Sequence, residues 1–530
     1  MGIPAYFSYI IKNHSNIITN FKKLNVTFSS LFMDCNSIIY DAYYSILKEC
    51  DKNIEFDVFI NIIIDNVISS IENYVAIINP TKIVYIAFDG VAPFAKMDQQ
   101  RNRRYKTDFM SKIFINDNTK PQHKFTTSMI TPGTYFMNIL SQRILFHFSN
   151  TPRFIVSTSD EPGEGEHKIF QYMREHYSSD ETIAVYGLDS DLIMLSLFHF
   201  NLFENIFIFR EAPEFMKSSI PIDIVPSNTK EPYFINIKLL SSSIIHEMNC
   251  KFKNNNQIYD YIFLCFFIGN DFLPHFPAIN IRTNGIQILL DVYRKHIGNY
   301  NDRSIIKDNQ INWRWVSTII SELAKNEHEF ILQDYTYRDK FDNWNWTEST
   351  QEEKEKLINN IPVIYRNLEK YIHPKEHFWE ERYYKSLFHL NRDDNNVRNI
   401  CNNYMEGLEW VYKYYTIGCP DWHWKYNYHY APLLCDLQKY IPHFFMDFII
   451  DNKHLPFLPQ VQLAYVLPSD QLNLLSKQHH HYLITKYKHL YNDKIDFIWA
   501  FKRYFYECHC ILPNISIELL NKWNDDFAKI

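Results

Sequence analysis

The stretch VYGLDSDLIMLSL, residues 185–197, places Asp189 and Asp191 between two apolar runs. Neighbours of that kind carry a side chain toward the interior, where an uncompensated carboxylate is costly. The two acids are two residues apart, so in extended geometry they face the same way. Glu164 and Glu166 repeat the spacing in PGEGEHKIFQYMREH, where Pro162 and Gly163 announce a helix start. Asp34, Asp89 and Asp160 each finish another apolar run (VTFSSLFMD, KIVYIAFD, RFIVSTSD), and Asp271 follows the apolar segment 258–268 in a Gly-Asn-Asp turn. One acid in such a place is ordinarily a cap. Six or seven brought together repel one another unless divalent cations neutralise them. Hard oxygen donors without His or Cys favour Mg²⁺ or Mn²⁺ over zinc. A pair of such ions holds the attacking and leaving oxygens of a phosphodiester.

A basic segment answers the acidic one. In DGVAPFAKMDQQRNRRYK, Lys96, Gln100, Arg103 and Arg104 fall at helical spacings. At about 100° per residue they lie near 0°, 40°, −20° and 80°, a single face. The plain reading is a solvated basic surface. Its nearness to Asp89 favours a pocket for a terminal phosphate, which Arg and Lys suit. The third ingredient is aromatic: Trp422, Trp424, Tyr426, Tyr428 and Tyr430 alternate in DWHWKYNYHYAP. Such rings grip single-stranded bases without sequence preference. Most of them are expected to form an aromatic core strand, with one or two left as base platforms.

These residues need a frame. Up to about residue 300, short apolar runs alternate with helical patterns, the signature of a largely parallel sheet built from β-α units. The carboxyl ends of parallel strands share one edge, where ligands bind, so acids far apart in sequence would gather there. A charged helical stretch, including STQEEKEKLINN, then reads as a peripheral connector. A second dense block begins near Tyr404. The expected organisation is a catalytic α/β unit at 1–300, a variable helical connector at 301–400, and a second core region at 401–530 packing on the active site.

The bulk numbers set bounds. The chain has 530 residues, enough for a large buried core, and a net charge of −7, which argues against a partner recruited by bulk positive charge. No leader is apparent, and the most apolar segments are short or broken by Asp57, Asp65 and Glu72, so no membrane association is expected. Tyr6 stands where a myristoylation motif wants Ser or Thr. The nine cysteines include no Cys-x-x-Cys; Cys508-His509-Cys510 lacks a second pair for zinc and reads as reduced thiols.

With those motifs in hand, the sequence resembles the Xrn family of 5′-to-3′ exoribonucleases. MGIPAYFSYI, MDCNSIIYD, FDGVAPFAKMDQQRNRRYK, ITPGTYFM, EPGEGEHKIFQYMR, YGLDSDLIMLSL and FIGNDFLPHFPAINI occur in that family's order, and the later EGLEWVYKYYTIGCPDWHWKYNYHYAPLLCDL and LPFLPQVQLAYVLP look like its second core region. The resemblance implies a PIN/5′-nuclease-like sheet with a helical, aromatic-rich second region. It further implies Mg²⁺-dependent, processive 5′-to-3′ hydrolysis of single-stranded RNA bearing a 5′ monophosphate, releasing mononucleotides. Two Mg²⁺ ions are expected, with Mn²⁺ able to substitute. Carried over by motif, the catalytic, metal-binding acids are Asp34, Asp89, Glu164, Glu166, Asp189, Asp191 and Asp271, and the 5′-phosphate pocket is Lys96, Gln100, Arg103 and Arg104. Tyr40 occupies the position of a base-stacking His, and Trp422 and Trp424 compete for the facing Trp. Ser37 replaces a Gly usual in the family's first motif, and the extra C-terminal domains of longer members are not expected. A monomer in the cytoplasm is the expectation, with the nucleus as the alternative. Two other readings stay open: a structure-specific 5′ nuclease on DNA flaps, which lacks the second aromatic region, and a catalytically silent scaffold that binds 5′-phosphorylated RNA.

Overall fold

The computed structural model describes residues 2–49, 54–114, 125–177, 180–203, 205–211, 232–450, 454–491 and 494–530. Seven strands form one sheet: β1 (Ile18–Asn20), β2 (Ser30–Asp34), β3 (Ile83–Ala87), β4 (Phe154–Ser157), β5 (Thr182–Tyr186), β6 (Asn205–Arg210) and β7 (Tyr233–Asn236), in spatial order β1-β7-β6-β5-β2-β3-β4. β6, β5, β2, β3 and β4 run parallel, while β7 and β1 close one edge antiparallel. The α/β class with a mostly parallel sheet is as the sequence indicates.

The parallel strands are apolar on both faces because helices cover both. Along β2, Leu31 and Met33 enter one core and Phe32 the other; along β5, Ala184 and Tyr186 oppose Ile183 and Val185. Beneath one face lie the helices Asn36–Glu49, Phe56–Ile78 and Tyr135–Phe148. Phe56–Ile78 is long and apolar enough to cross a membrane, but it packs Phe59, Ile63, Ile64, Val67 and Ile71 into this core. On the other face sit Gly165–His176, Asp191–Phe198, Ile237–Met248 and Gln257–Cys265, and across them runs Asp394–Thr416 from the second dense block.

The structure changes three local expectations. The strand that precedes Asp189 stops at Tyr186, and Asp191 opens a helix, so the pair sits in a loop-to-helix turn instead of an extended segment. The helix wins because Leu192–Phe198 is buried on all sides between the sheet and the second region. The aromatic run 422–430 is irregular backbone and not a strand; Pro420 and the Asp421 side chain, which accepts from the His423 N–H at 2.8 Å, set a turn. The 301–400 stretch is helical but not peripheral: Trp313, Ile319, Ile320, Leu323, Tyr383 and Tyr384 are fully buried in the main core. It reaches the C-terminal segment through Glu369, 1% exposed, which binds Arg338 at 2.7 and 3.1 Å, Arg366 at 2.8 Å and the Phe501 N–H at 3.1 Å.

Two buried guanidinium groups thus share one carboxylate, and removing it leaves both undercompensated. Glu369→Ala is expected to lower unfolding free energy by about 3 kcal/mol, the scale for a broken buried ion pair, measured as the shift in urea midpoint. A change within about 0.5 kcal/mol, typical of surface sites, would rule out this network as the tie between the connector and the C-terminal segment.

Candidate active site

Register explains why the acids meet. β2 pairs Asp34 with Ala87 of β3 and Met33 with Tyr186 of β5. The strands therefore end flush, and Asp89 and Asp189 follow within three residues of their strand ends. Glu164 stands at the N-cap position of the helix Gly165–His176, without a side-chain capping bond, and Glu166 lies in its first turn, where the helix dipole favours negative charge. Gly165 is the residue that lets this helix start so close: a Cβ there would lie 2.7 Å from Asp34 Oδ1. Its N–H instead donates to Asp89 Oδ1 at 2.7 Å. Asp271 arrives from the turn after Phe266–Ile268.

The crowding shows in the acid–base properties. Burial, and then Asp89 and Asp189, push the Asp34 carboxyl well above the usual carboxylate range. Burial with Asp191 and Glu164 does the same to Glu166. Burial also raises Asp191 to about 6, with Asp271 and Asp189 adding to it, and lifts Asp89, helped by Glu164. Glu164, Glu166 and Asp191 are 5%, 5% and 2% exposed; Asp189 is the one acid of the set open to solvent. Asp34 Oδ1, Glu166 Oε2 and Asp191 Oδ1 are buried without a hydrogen-bond partner. Asp160, grouped with the other strand-end acids on sequence, is exposed at a turn and outside the cluster, because β4 lies at the sheet edge and ends three residues before it.

Lys96 offsets part of this charge at contact distance, with Lys168 and Arg103 acting from further off. Lys96, on the helix Phe94–Phe114, places its Nζ 2.5 Å from Glu164 Oε2 and 2.8 Å from Asp271 Oδ2. Although burial alone would raise Asp271, its neighbouring cations, Lys96 foremost and Arg103 among them, together hold that carboxyl below the usual range. Of the other residues on the basic face, Gln100 accepts from Gln462 Nε2 at 3.0 Å and Arg104 donates to the Thr131 hydroxyl. Burial lowers the Arg104 guanidinium to about 10, with Tyr40 opposing the fall. Arg103 is half-buried, with Asp271 within its electrostatic reach. The four residues thus share a helix that abuts the acids, and Tyr40, half-buried on Asn36–Glu49, lies beside Arg104.

The structure separates the two tryptophans. Trp424 is 8% exposed and stacks on Trp410 at 5.2 Å, so it belongs to the core. Trp422 stays half-buried, its carbonyl accepting from the Phe94 N–H at 2.9 Å beside the basic helix. Three residues that bind the cluster escaped the sequence reading. Asn36 donates to Asp89 Oδ2 at 2.6 Å and accepts from the Asp89 N–H at 3.0 Å. Tyr414 donates to Glu164 Oε1 at 2.8 Å, and Tyr415 hydrogen-bonds Asp191. Asn36 lay two residues after Asp34 and was discoverable; the tyrosines sit within an aromatic run that marks a core helix as readily.

Hard carboxylate donors, orphaned buried oxygens and mutually raised carboxyls fit a divalent cation. Among the described residues no three acids converge on one ion-sized point, and Lys96 bridges two of them instead.

Residues 1–212 match the model of the XRN 5′-3′ exonuclease N-terminus, and residues 251–374 and 367–527 match that of the Xrn1 helical domain. Among curated proteins, the chain is similar to 5′-3′ exoribonuclease 2 of Candida albicans (24% identity, 88% of this chain, 66% of the relative). It is also similar to 5′-3′ exoribonuclease 1 of Schizosaccharomyces pombe (27%, 88%, 44%) and of Homo sapiens (26%, 92%, 32%). The chain thus spans between 32% and 66% of the length of these relatives.

A carboxyl raised from its ordinary 3.8 to about 6 on folding holds its proton more tightly in the native state. It stabilises the fold at low pH, and that contribution is lost as pH rises through 6. The EDTA-treated protein is therefore expected to melt lower at pH 7 than at pH 5. Asp191→Asn should reduce that dependence and raise the pH 7 melting temperature by about 2–4 °C, the shift that roughly 1 kcal/mol gives in a large domain. A melting temperature that rises from pH 5 to 7 in both proteins contradicts the assigned crowding.

Proposed function

We propose that this chain, which belongs to the XRN family, is a 5′-to-3′ exoribonuclease that removes one nucleotide at a time from single-stranded RNA bearing a 5′ monophosphate. The observation that carries this reading is the buried carboxylate cluster at the carboxyl ends of β2, β3 and β5, with orphaned oxygens, against a helix bearing Lys96, Arg103 and Arg104. The names of the curated relatives support it.

Asp34, Asp89, Glu164, Glu166, Asp189, Asp191 and Asp271 are the residues that would hold Mg²⁺ or Mn²⁺, which when bound supplies an activated water and neutralises an oxyanion. Hydrolysis adds water to the phosphorus between the first and second nucleotides and releases the 3′ oxygen of the first. The products are a nucleoside 5′-monophosphate and an RNA whose new end again carries a 5′ monophosphate. The recognition group is regenerated at every cycle, which suits processive action. Lys96, Arg103 and Arg104 supply positive charge for the terminal phosphate, and Gln100, fixed by Gln462, adds a neutral wall. A pocket on that helix face that admits a single phosphate would disfavour a triphosphate. Tyr40 and Trp422 offer ring faces for the leading base. Tyr414 and Asn36 orient Glu164 and Asp89.

On end-labelled RNA with Mg²⁺, a 5′ monophosphate is expected to be degraded at least tenfold faster than a 5′ triphosphate or hydroxyl. Asp189→Ala with Asp191→Ala should abolish release with circular dichroism unchanged. Degradation retained by that variant refutes the assignment, and preferential cutting of a DNA flap would select the flap-nuclease reading. Tight binding of the monophosphorylated RNA without release in Mg²⁺ or Mn²⁺ would select the silent scaffold.

The tryptophans give a separate test. Trp422→Ala should weaken RNA binding by about 1–3 kcal/mol, the worth of a stacked base, with little change in melting temperature. Trp424→Ala should instead destabilise the fold by about 3–5 kcal/mol, the cost of truncating a buried aromatic. The reverse pattern in RNA titration and thermal melts would move the platform to Trp424.

A further inference from the structure

A cavity of about 350 Å³ lies on the other side of the basic helix. Gln99, Asn102 and Lys106 face it. Taking Lys96 as 0° and about 100° per residue, these sit near −60°, −120° and −80°, away from Lys96, Gln100 and Arg104 at 0°, 40° and 80°. Arg103, near −20°, stands on the border and lines the cavity. The far wall comes from the 269–275 turn, Arg282, and the segments 425–429 and 502–509, and Gly2, Pro4 and Ala5 complete the lining. Asp271 belongs to both compartments: it bonds Lys96 at 2.8 Å and lines the cavity.

The lining carries five cations, Arg103, Lys106, Arg282, Lys425 and Lys502, against Asp98, Asp271 and Glu507. Each of the three acids already has a cation: Asp98 has Lys425 at 2.9 Å, Glu507 has Arg282 at 2.7 Å, and Asp271 has Lys96. Lys106 donates only to the backbone carbonyls of Tyr506 and Cys508. Lys502 is 5% exposed, and its ammonium lies 5.4 Å from the Tyr430 ring centre. Among the described residues none of Lys502, Lys106 and Arg103 touches a carboxylate; Glu507, already held by Arg282, lies within electrostatic reach of both lysines, and Asp271, held by Lys96, within reach of Arg103. A buried lysine without an anion is costly. A fourth donor awaits a partner: Asn270 Oδ1 accepts the N–H groups of Phe272 and Leu273, both at 2.9 Å, which fixes the amide, and its Nδ2 is buried with nothing to bond. Asn270 also lines the cavity, as do the rings of Phe272, Tyr428 and Tyr506.

Surplus cations, one of them buried, an orphaned N–H donor and ring faces around a space at the small-ligand end of about 300–1,000 Å³ suit one nucleotide and not a chain. We propose that this cavity receives the cleaved nucleoside 5′-monophosphate before its release, with the phosphate held by Arg103, Lys106 and Lys502 and the base against Phe272, Tyr428 or Tyr506. The proposal rests on the nuclease reading above, since it takes the product of that reaction as the ligand. The incoming 5′ end then uses one stripe of the helix and the outgoing nucleotide the other, with Asp271 and Arg103 on the shared wall.

The test is calorimetric titration of the full chain in EDTA with AMP and with adenosine. AMP is expected to bind one to one, adenosine at least tenfold more weakly, and Lys502→Met to weaken AMP at least tenfold. On the wild-type protein, irradiated 8-azido-AMP should label peptides within 98–106, 425–430 and 502–509. An RNA whose first nucleotide is 8-azidoadenylate, cut with Mg²⁺ and irradiated before release, should label the same peptides. No AMP binding, no dependence on Lys502, or labelling confined to the Tyr40 and Trp422 peptides overturns the proposal. Labelling by added 8-azido-AMP but not by the cleaved nucleotide also overturns it and makes the cavity an effector site. If Lys502→Met does not fold, the wild-type labelling decides alone. If AMP binding depends on Lys502 but the monophosphorylated RNA is not degraded, the nuclease reading fails and the cavity stands as a nucleotide site.

Discussion

Carboxylates confined beside one another at the edge of a sheet dominate this structure. Burial and neighbouring like charge both raise a carboxyl's proton affinity, and the rise at Asp34, Asp89, Glu166 and Asp191 comes from burial first and repulsion second. A chain that only needed to fold would disperse them. Here flush parallel strands, a glycine at a helix start and the Asn36 amide hold them together. Arrangements that store unfavourable electrostatics mark sites where charge is to be used.

The second region completes the cluster and does more than cover it. Tyr414 and Tyr415, from Asp394–Thr416, bond Glu164 and Asp191. The helix Pro459–Val466 sets Gln462 against Gln100 and the Ala92 N–H, anchoring the basic helix from behind. Trp422 binds the same helix through Phe94. The basic helix is thus clamped between strand-end acids on one side and two separate segments of the second region on another. Lys96 keeps its position because the backbone that carries it has no room to drift.

Much of this was legible in the sequence where one residue type answered one physical demand. Apolar runs of strand length, each followed by an acid, gave the sheet and its active edge, since parallel strands have little freedom in which end collects ligands. Helical spacing gave the basic face. Reading failed where tertiary packing chose between local options. Asp191 looked extended by spacing but was drawn into a helix by a wholly apolar continuation. Asp160 carried the same local signal as Asp34, yet strand order, which no local pattern encodes, put it at the edge. Trp422 and Trp424 were equivalent by composition, and only the approach of Trp410 separated them. The charged runs of 301–400 hid Trp313, Tyr383 and Tyr384 because burial there depends on partners far along the chain.

Lys96 links the electrostatics of the two halves of the site. An ammonium has three N–H donors; Glu164 and Asp271 accept two, leaving the third for another acceptor. A phosphate oxygen placed there bonds the lysine without taking it from the acids, but it competes with them for the same positive charge. Any cation that joins the carboxylates relieves that competition, because Lys96 then has less negative charge to balance. On the proposed function, binding of a cation at the acids and of a terminal phosphate would in this way favour one another, and linkage would make the effect reciprocal. An arginine would spread its charge over a planar fork and favour one bidentate carboxylate. A lysine, a point charge with donors in three directions, can stand between two acids and a phosphate.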